Sequence, residues 1–291
     1  MKRVFTSGIL AAAVLLIAGC VGLQTNRIPV NIGFKPLIGH DTRAAVESVP
    51  FPEDRSFKVW GLNEGNGSLY LDAETVSYRG GWIASKTWPQ AEVSFDACWP
   101  EDLGVSYSKK DGLSLKGYDC TAGDVDILFA RTGNEEHEID SLVTLRFDHI
   151  LSRVEFRMQH SLSSEMSVRL QKIELVGFAQ KGDYNTDGEY TWKPAAADGS
   201  FTVFDAGENP VDLTSDAEYF GPDFYTIPQH CTAAVKVSFE VRYGEAAWIP
   251  QEDIIPALDT EWKPSTHYTY TLNLTEKNLV YTTGISSWNN R

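Results

Sequence analysis

The stretch Ala234-Val-Lys-Val-Ser-Phe-Glu-Val-Arg-Tyr243 alternates along its whole length. Its odd-numbered residues are apolar, and its even-numbered residues are mostly charged. A period of two places successive side chains on opposite faces of a β-strand. One face is then buried and the other is exposed to solvent, which is typical of antiparallel sheets packed as a sandwich. The stretch therefore predicts an all-β fold.

The same alternation recurs outward along the chain, in residues 153–158 and in residues 268–274. Further candidate strands are Phe57–Gly61, Glu92–Ala97, Val125–Ala130, Val143–Phe147, Val168–Val176 and Phe201–Phe204. Within Val168–Val176 the apolar parity switches between Leu170 and Ile173, which predicts a β-bulge. No long helical period is present, so at most short helices are expected, at Ser161–Met166 and around Asp253–Leu258.

The chain of 291 residues is long enough for two domains of about 150 residues each. The polar, turn-forming segment from Thr132 to Asp140 separates two runs of candidate strands. We therefore expect two β-sandwich domains, an N-terminal one at 44–138 and a C-terminal one at 139–291.

Residues 1–19 have the form of an export signal that ends in front of a cysteine. Lys2 and Arg3 precede an apolar run that is too short to span a bilayer, and Ala18 and Gly19 come directly before Cys20. A lipoprotein signal peptidase needs small residues at that place. We expect Cys20 to become a lipidated N-terminus, because two or three acyl chains give stable membrane anchoring. The alternative is an ordinary secreted protein with a chance cysteine.

The charge of the chain excludes one class of partner. The full chain has a net charge of −15, and the loss of Lys2 and Arg3 with residues 1–19, which contain no acidic residue, makes it −17. Such a chain repels nucleic acid and anionic membrane faces. We therefore expect no nucleic-acid partner.

A short leading strand follows the signal. Ile28, Val30, Ile32 and Phe34 share one face, and Pro29 places the strand at a sheet edge or restricts it to pairing on one side. Burial of these four side chains is worth about 6–12 kcal/mol, which rivals the net stability of a domain. A domain that lost the strand would need a strand from a neighbouring subunit in its place.

Arg43 and Ala44 lie in the loop after this strand, among small residues that a trypsin-like protease could accept. From the residues alone two interpretations stay open. Either the strand is removed by a cut between Arg43 and Ala44, or it is a permanent first strand followed by an uncut arginine.

The order of several short stretches resembles the fimbrillin family, the lipoprotein-derived pilins of type V pili, and especially its Mfa-like branch. The matching stretches are Leu16–Cys20, Thr42–Ala44, Phe51–Trp60, Asp126–Ala130, Val143–Phe156 and Trp288. They are spread over nearly the whole chain, and residues 147–156 are the most specific of them.

The resemblance implies two tandem transthyretin-like (Greek-key) antiparallel β-sandwich domains and export as an outer-membrane lipoprotein at the cell surface. It also implies adhesion within a fimbrium, with other pilus subunits as partners and an unidentified host or bacterial receptor. Cys20 matches the lipidated cysteine and Arg43 the cleavage site. Residues 20–43 form a leader that carries the removable strand Ile28–Phe34.

The resemblance also implies a donor strand that fills a neighbour's groove. Since the sequence continues for only three residues beyond Trp288, we expect the donor strand within Lys277–Trp288. Its candidate residues are Leu279, Tyr281, Ile285 and Trp288. The roles of shaft, tip and anchor subunit all stay open.

Enzymatic interpretations find no support in the motifs. The chain lacks Gly-x-Ser-x-Gly, a phosphate-binding glycine loop and His-Glu-x-x-His, and its six histidines are scattered singly. We expect no catalytic residue and no cofactor. His149 is expected to be a structural hydrogen-bonding residue rather than a base.

One segment resembles the opening of a calcium loop. Asp183, Asn185 and Asp187 supply oxygen ligands at positions 1, 3 and 5, but Pro194 stands at position 12, where a bidentate glutamate belongs. A hairpin loop explains the segment as well, so no metal is expected, with calcium as the weaker alternative.

Two further features leave alternatives open. Beyond Cys20 the chain has Cys98, Cys120 and Cys231, which allows either a Cys98–Cys120 disulfide or three buried thiols. Eight tryptophans allow a second function, a surface lipoprotein that binds carbohydrate through exposed aromatic side chains. An exposed row of Trp or Tyr on one face would favour that function.

Overall fold

The computed structural model describes residues 30–39, 41–42, 45–46, 48–135, 141–186 and 191–288. These residues form strands and turns and no helix, which confirms the all-β prediction. The two short helices expected from the sequence are wrong. Residues 161–165 form a turn between two strands, and the first half of the second segment, Asp253–Ile255, belongs to the strand Ile249–Ile255. Within the described part of the chain no helix is long and apolar enough to cross a membrane.

The strands are as follows, in chain order: β1 Asn31–Ile38, β2 Asp41–Thr42, β3 Ala45–Val46, β4 Val49–Pro50, β5 Ser56–Asn63, β6 Ser68–Ser77, β7 Trp82–Thr87, β8 Val93–Trp99, β9 Ser106–Ser108, β10 Gly112–Asp119, β11 Leu128–Glu135, β12 Val143–His149, β13 Ser152–His160, β14 Met166–Phe178, β15 Lys181–Asn185, β16 Thr191–Pro194, β17 Gly199–Asp205, β18 Val211–Asp212, β19 Glu218–Thr226, β20 Gln229–Cys231, β21 Ala234–Tyr243, β22 Ile249–Ile255, β23 Thr260–Trp262, β24 Thr266–Leu274 and β25 Leu279–Ser287.

The first unit is built on an eight-stranded sheet in the order β4-β1-β12-β11-β8-β5-β6, with β7 paired to β1. A bridge between Tyr78 and Trp82 joins the end of β6 to β7. Because β7 also pairs with β1, the sheet wraps round its own apolar face. The core inside contains side chains from β1, β5, β7, β8, β11 and β12.

A four-stranded sheet, β16-β15-β10-β9, covers the other face of this unit. Trp60, Cys98 and Phe129 from the large sheet pack there with Leu113 and Leu115 of β10. This second apolar layer also takes in Ile150, Leu151 and Trp288, and it thus reaches the junction with the second unit.

The second unit is a sandwich of two sheets. One has the order β19-β13-β24-β25 and the other the order β17-β14-β21-β22, with β18 paired to β14. The alternation read from the sequence is confirmed in its core: Val235, Val237 and Phe239 of β21 are buried, as are the apolar residues of β13 and β24. The β-bulge predicted in β14 is also confirmed, because the register with β21 shifts between Leu170 and Lys172.

The division of the chain differs from the boundary expected at 138/139. β12 lies beyond that boundary, yet it is an inner strand of the first sheet, where it pairs with β1 and β11. β15 and β16 also return to the first unit and pair with β10. Polar residues 132–140 resembled a linker because turn-forming composition is shared by linkers and by irregular strand positions, and residues 132–135 lie in β11. We propose that the first unit extends to about Ile150 and takes back residues 181–194.

Two pairings differ from a purely antiparallel fold. β1 runs parallel to β12, and β13 runs parallel to β24.

The cluster at Thr132–Asn134, which the sequence predicted to form a turn, lies inside β11, where the register with β8 shifts between Arg131 and Asn134. The cluster is therefore a bulge, because Gly and Asn also favour irregular strand positions.

Candidate functional site

The leading strand β1 lies between strands on both of its sides. On one side it pairs with β12 from Phe34↔Val143 to Ile38↔Phe147. On the other side it pairs with β7 near its start and with β4 near its end. β1 as a whole is therefore not an edge strand, whereas its first residues fit the alternative of pairing on one side, since Asn31 and Gly33 pair with β7 alone. Each flanking partner on this second side is short, which lets Pro36 sit within the strand, where its missing N–H would disrupt a longer ladder.

Three backbone hydrogen bonds and one side-chain hydrogen bond hold this segment in the first unit. The Trp88 amide donates to the Val30 carbonyl at 2.9 Å, and the Phe51 amide donates to the Pro36 carbonyl at 3.1 Å. At its far end the Gly39 amide donates to the Phe147 carbonyl at 3.0 Å. The side chain of Asn31 also donates to the Ala84 carbonyl at 3.0 Å. β1 is thus an integral part of this sheet.

Three side chains of β1 fill the first core. Ile32 is 0% exposed, Phe34 1% and Ile38 6%. The ring of Phe34 meets Phe57 and Phe95 edge-on, with centroids 6.1 and 5.4 Å apart. Aromatic pairs in this geometry stabilise the core beyond the area that they bury.

The outer residues of the predicted strand behave differently. Val30 precedes β1 and is 46% exposed, so it does not join the core as expected. β1 begins at Asn31 and ends at Ile38, later at both ends than the predicted Ile28–Phe34. Ile38 takes the place of Val30 as a buried apolar residue of the strand. Ile28 lies outside the described residues.

The predicted processing and lipidation residues, Arg43, Ala44 and Cys20, also lie outside the described residues. The backbone on either side of the first two is described. β2 and β3 pair antiparallel there, with Asp41 opposite Val46 and Thr42 opposite Ala45.

Three of the candidate donor residues, Leu279, Tyr281 and Ile285, lie on β25, at one edge of its sheet as far as the structure describes the chain. β25 pairs with β24 along its whole length, from Leu279↔Leu274 to Ser287↔Thr266. Leu279 is buried, and the Tyr281 hydroxyl donates to the Leu258 carbonyl at 2.8 Å. Ile285 is 65% exposed. A donor role would require this strand to leave its own sheet, so it remains a prediction.

Trp288 follows β25 and closes the junction between the two units. Its indole lies against the imidazole of His149 at the end of β12 and against the phenol of Tyr225 in β19. His149 Nδ1 donates to Asp126 Oδ2 at 2.7 Å, and both side chains are largely buried. The hydrogen-bonding role expected for His149 is confirmed.

A cleft of about 750 Å³ opens beside this stack. Its walls come from the end of β1, from β4 and from the start of β13, together with Trp99, Asp126 and Tyr225. Arg153 pairs there with Asp223 through its Nε, at 2.9 Å. Burial raises the pKa of Tyr225, and the negative charge of Asp126 raises it further. No sequence motif indicated this cleft, and its one signal was the position of His149 within residues 147–156.

The calcium alternative involves residues that already have other partners. Asp183 Oδ1 accepts a hydrogen bond from the Gly117 amide at 2.8 Å, and Lys116 Nζ lies 3.3 Å from its Oδ2. These bonds lower the pKa of Asp183, the backbone bond most. Asp187 lies outside the described residues. Among the residues that are described, no group of three or more His, Cys, Asp or Glu side chains could hold a metal ion.

Two other open questions concern side chains that the structure does describe. Cys98, Cys120 and Cys231 are free and buried, which corresponds to the alternative of three buried thiols. The eight tryptophans are all buried or half-buried, and the three exposed tyrosines, Tyr78, Tyr219 and Tyr243, lie on separate elements. An exposed row of aromatic side chains is therefore absent from the described residues.

Solved structures with the same fold come from Bacteroides and related bacteria. A fimbrial protein from Bacteroides vulgatus ATCC 8482 superposes with a TM-score of 0.65 at 11% identity, over 89% of this chain and 100% of that one. A protein from Bacteroides ovatus ATCC 8483, provisionally named a cell adhesion protein, gives 0.57 at 16% identity, over 91% and 100%. These identities are low, so the likeness concerns the fold.

A further comparison concerns the sequence itself. No curated protein sequence matches the chain. The model of the fimbrillin-like family, however, matches residues 42–288, which is most of the chain. The chain therefore belongs to the fimbrillin-like family.

Proposed function

We propose that this chain is a pilus subunit or pilus-associated surface lipoprotein that assembles by strand exchange. The proposal is supported by membership of the fimbrillin-like family and by the shared fold with a fimbrial protein. In the proposal a protease cuts between Arg43 and Ala44, the segment that carries β1 leaves, and a strand from another subunit enters the groove.

The observation that carries the proposal is the burial of β1 between two sets of strands. Ile32, Phe34 and Ile38 together contribute about 5–9 kcal/mol by burial alone, which is comparable to the net stability of a domain. A first unit without β1 would expose the apolar wall of β12 and an unpaired backbone edge. An added strand satisfies both, since it supplies main-chain bonds and alternate apolar side chains.

The lipid anchor and the location belong to the same proposal. Cys20 would carry the acyl chains that hold the precursor at the outer membrane, and cleavage after Arg43 would release the subunit from that anchor. An anchor subunit would instead keep its lipid and stay uncut. Metabolic labelling with a radioactive fatty acid distinguishes these states, with Cys20→Ser as the control that cannot be labelled.

Limited trypsin digestion followed by N-terminal sequencing tests the cut itself. We expect one dominant new terminus at Ala44, and then polymers that resist dissociation in size-exclusion chromatography. The variant Arg43→Gln should keep its original terminus and stay monomeric under the same digestion. Cuts elsewhere with β1 retained, or a clean cut that yields no polymer, would contradict strand exchange.

A further inference from the structure

The cleft beside the Trp288 stack has the size and position of a ligand site. Its volume of about 750 Å³ falls within the range of about 300–1,000 Å³ that is usual for small-molecule pockets. It lies where the two units meet, which is a preferred place for such pockets. The proposed strand exchange involves the groove that β1 occupies. It assigns no role to the polar and aromatic side chains that line this cleft.

One wall of the cleft offers aromatic and rigid apolar surface. Trp99 and Tyr225 line it and are each half-buried, and the guanidinium of Arg55 lies 4.6 Å from the centre of the Trp99 ring. Arg55 makes no ion pair with any residue that the structure describes. Its N–H groups can therefore donate hydrogen bonds to oxygen atoms of a ligand.

The opposite wall contains polar atoms without a partner. Asp126 and His149 both line the cleft, and Asp126 Oδ1 and His149 Nε2 are buried atoms that have no hydrogen-bond partner in the described structure. A buried polar atom without a partner costs free energy, about 1–3 kcal/mol in mutational data. The carboxylates of Asp102 and Asp124 stand exposed at the rim.

This arrangement argues against two other occupants. A peptide strand needs free main-chain N–H and C=O groups to pair with, whereas Pro50, Pro52 and Pro100 line the cleft and have no N–H. An anionic ligand would meet three aspartates against Arg55 alone, since Arg153 is already paired with Asp223. The surplus of negative charge disfavours it.

We propose that the cleft between the two units binds a neutral oligosaccharide. A sugar presents apolar C–H faces to Trp99 and Tyr225 while its hydroxyl groups donate to Asp126 and accept from Arg55. The subunit then carries an adhesive function of its own in addition to its role in assembly.

Titration of the uncut full chain with soluble sugars tests this inference independently of strand exchange. The probes are chitobiose, N-acetyllactosamine and cellobiose as neutral sugars, with sialyllactose as the acidic one, measured by isothermal calorimetry. We expect at least one neutral sugar to bind with a dissociation constant of about 1 mM or tighter, and sialyllactose to bind at least about tenfold more weakly.

Two variants locate the binding. Arg55→Gln removes an exposed guanidinium from the cleft, and Asp126→Asn keeps the shape of the side chain while it removes the charge. Each should weaken binding by about tenfold, the scale of one lost charge-assisted hydrogen bond. Arg242→Gln is the matched control, because its guanidinium also lies 4.6 Å from a tryptophan ring, that of Trp248, and neither residue lines the cleft.

Each outcome of these titrations either supports or overturns the inference. Weaker binding in both cleft variants, with the control within about twofold of the wild type, supports the inference. If Asp126→Asn does not fold, Arg55→Gln with its control decides alone. The inference is overturned if no neutral sugar binds, if sialyllactose binds most tightly, or if the cleft variants bind as well as the wild type.

Discussion

The indole of Trp288 stacks on the imidazole of His149, with ring centroids 3.9 Å apart and planes inclined by 11°. Tyr225 lies against the same indole, with centroids 5.1 Å apart and an angle of 6°. The end of β25 in the second unit thereby contacts the end of β12 in the first. The side chain of Trp288 thus connects β25, the last strand that the structure describes, to β12, which pairs with β1.

Replacement of Trp288 tests this tie. Trp288→Ala should lower the free energy of unfolding by about 3–5 kcal/mol, since it removes a buried aromatic side chain from the junction. Urea denaturation followed by circular dichroism measures the loss. Trp248→Ala serves as the control, because Trp248 is half-buried beneath Arg169 and should cost only about 1 kcal/mol. Equal losses in the two variants would mean that Trp288 stabilises the fold no more than Trp248 does.

Replacement of Phe34 tests the packing of β1. Phe34→Ala should cost about 3–5 kcal/mol of stability in the uncut chain, because its ring fills the first core. The neighbouring Lys35 is exposed, and Lys35→Ala should change stability by no more than about 0.5 kcal/mol. Thermal or urea unfolding of both variants gives the comparison. Similar values would contradict the insertion of β1 into the sheet.

The alternating strands were predictable because burial on one face leaves its period in the sequence. β21 and β24 each have one face in the core, so their apolar residues recur at every second position. The bulge of β14 was predictable for the same reason, since an extra residue reverses the parity. Local sequence therefore indicated the strands with clear alternation, whereas strands without it, such as β6 and β10, were not among the candidates.

The pairing of distant strands was not predictable in this way. Nothing in residues 31–38 and 143–149 indicates that these strands lie side by side and parallel. The cleft depends on the same long-range arrangement: Arg55 and Asp126 lie in two connections of the first unit and Trp99 ends β8, whereas Arg153, Tyr225 and Trp288 come from the second unit. Composition had marked the connection before β12 as a boundary, although β11 and β12 are neighbours.

Asp96 gives a pH dependence of stability with a definite sign. It is buried in β8 with its Oδ1 2.6 Å from Arg131 Nε, and burial raises its pKa more than Arg131 lowers it. A carboxyl with a raised pKa stabilises the fold below its unfolded pKa and loses that contribution as the pH rises through the folded pKa. The stability of the wild type relative to Asp96→Asn should therefore be greatest near about pH 3 and decline above about pH 4.

Asp119 provides a control of opposite sign. Its carboxylate is exposed, and hydrogen bonds from Thr121 and Lys181 lower its pKa to about 2. Its contribution is therefore present above the unfolded pKa and declines as the pH falls towards 2. Urea unfolding of Asp96→Asn and Asp119→Asn across this range should give slopes of opposite sign relative to the wild type, and slopes of the same sign would contradict the assignment for Asp96.

The buried cysteines should be unreactive in the folded chain. Burial raises the pKa of Cys98 and of Cys231 to about 12, and it also raises the pKa of Cys120. Since the thiolate is the reactive form, iodoacetamide at about pH 8 should leave all three unmodified until the chain is unfolded. Peptide mass spectrometry after labelling in concentrated urea without reductant should find all three modified. A Cys98–Cys120 disulfide would instead protect that pair in urea.

Gly221 of β19 should be the least replaceable glycine of the second sandwich. It has a φ of 77°, and an added Cβ would clash with the carbonyl oxygen of Val203 in β17. Gly207 has a φ of 58° but nothing within 4 Å of the corresponding position. Both alanine variants incur the cost of a left-handed conformation, about 1–2 kcal/mol, whereas Gly221→Ala adds a backbone clash worth about 1–3 kcal/mol more. Thermal unfolding should therefore rank Gly207→Ala above Gly221→Ala; equal stabilities would mean that β17 moves freely away from β19, although each of them borders the same core.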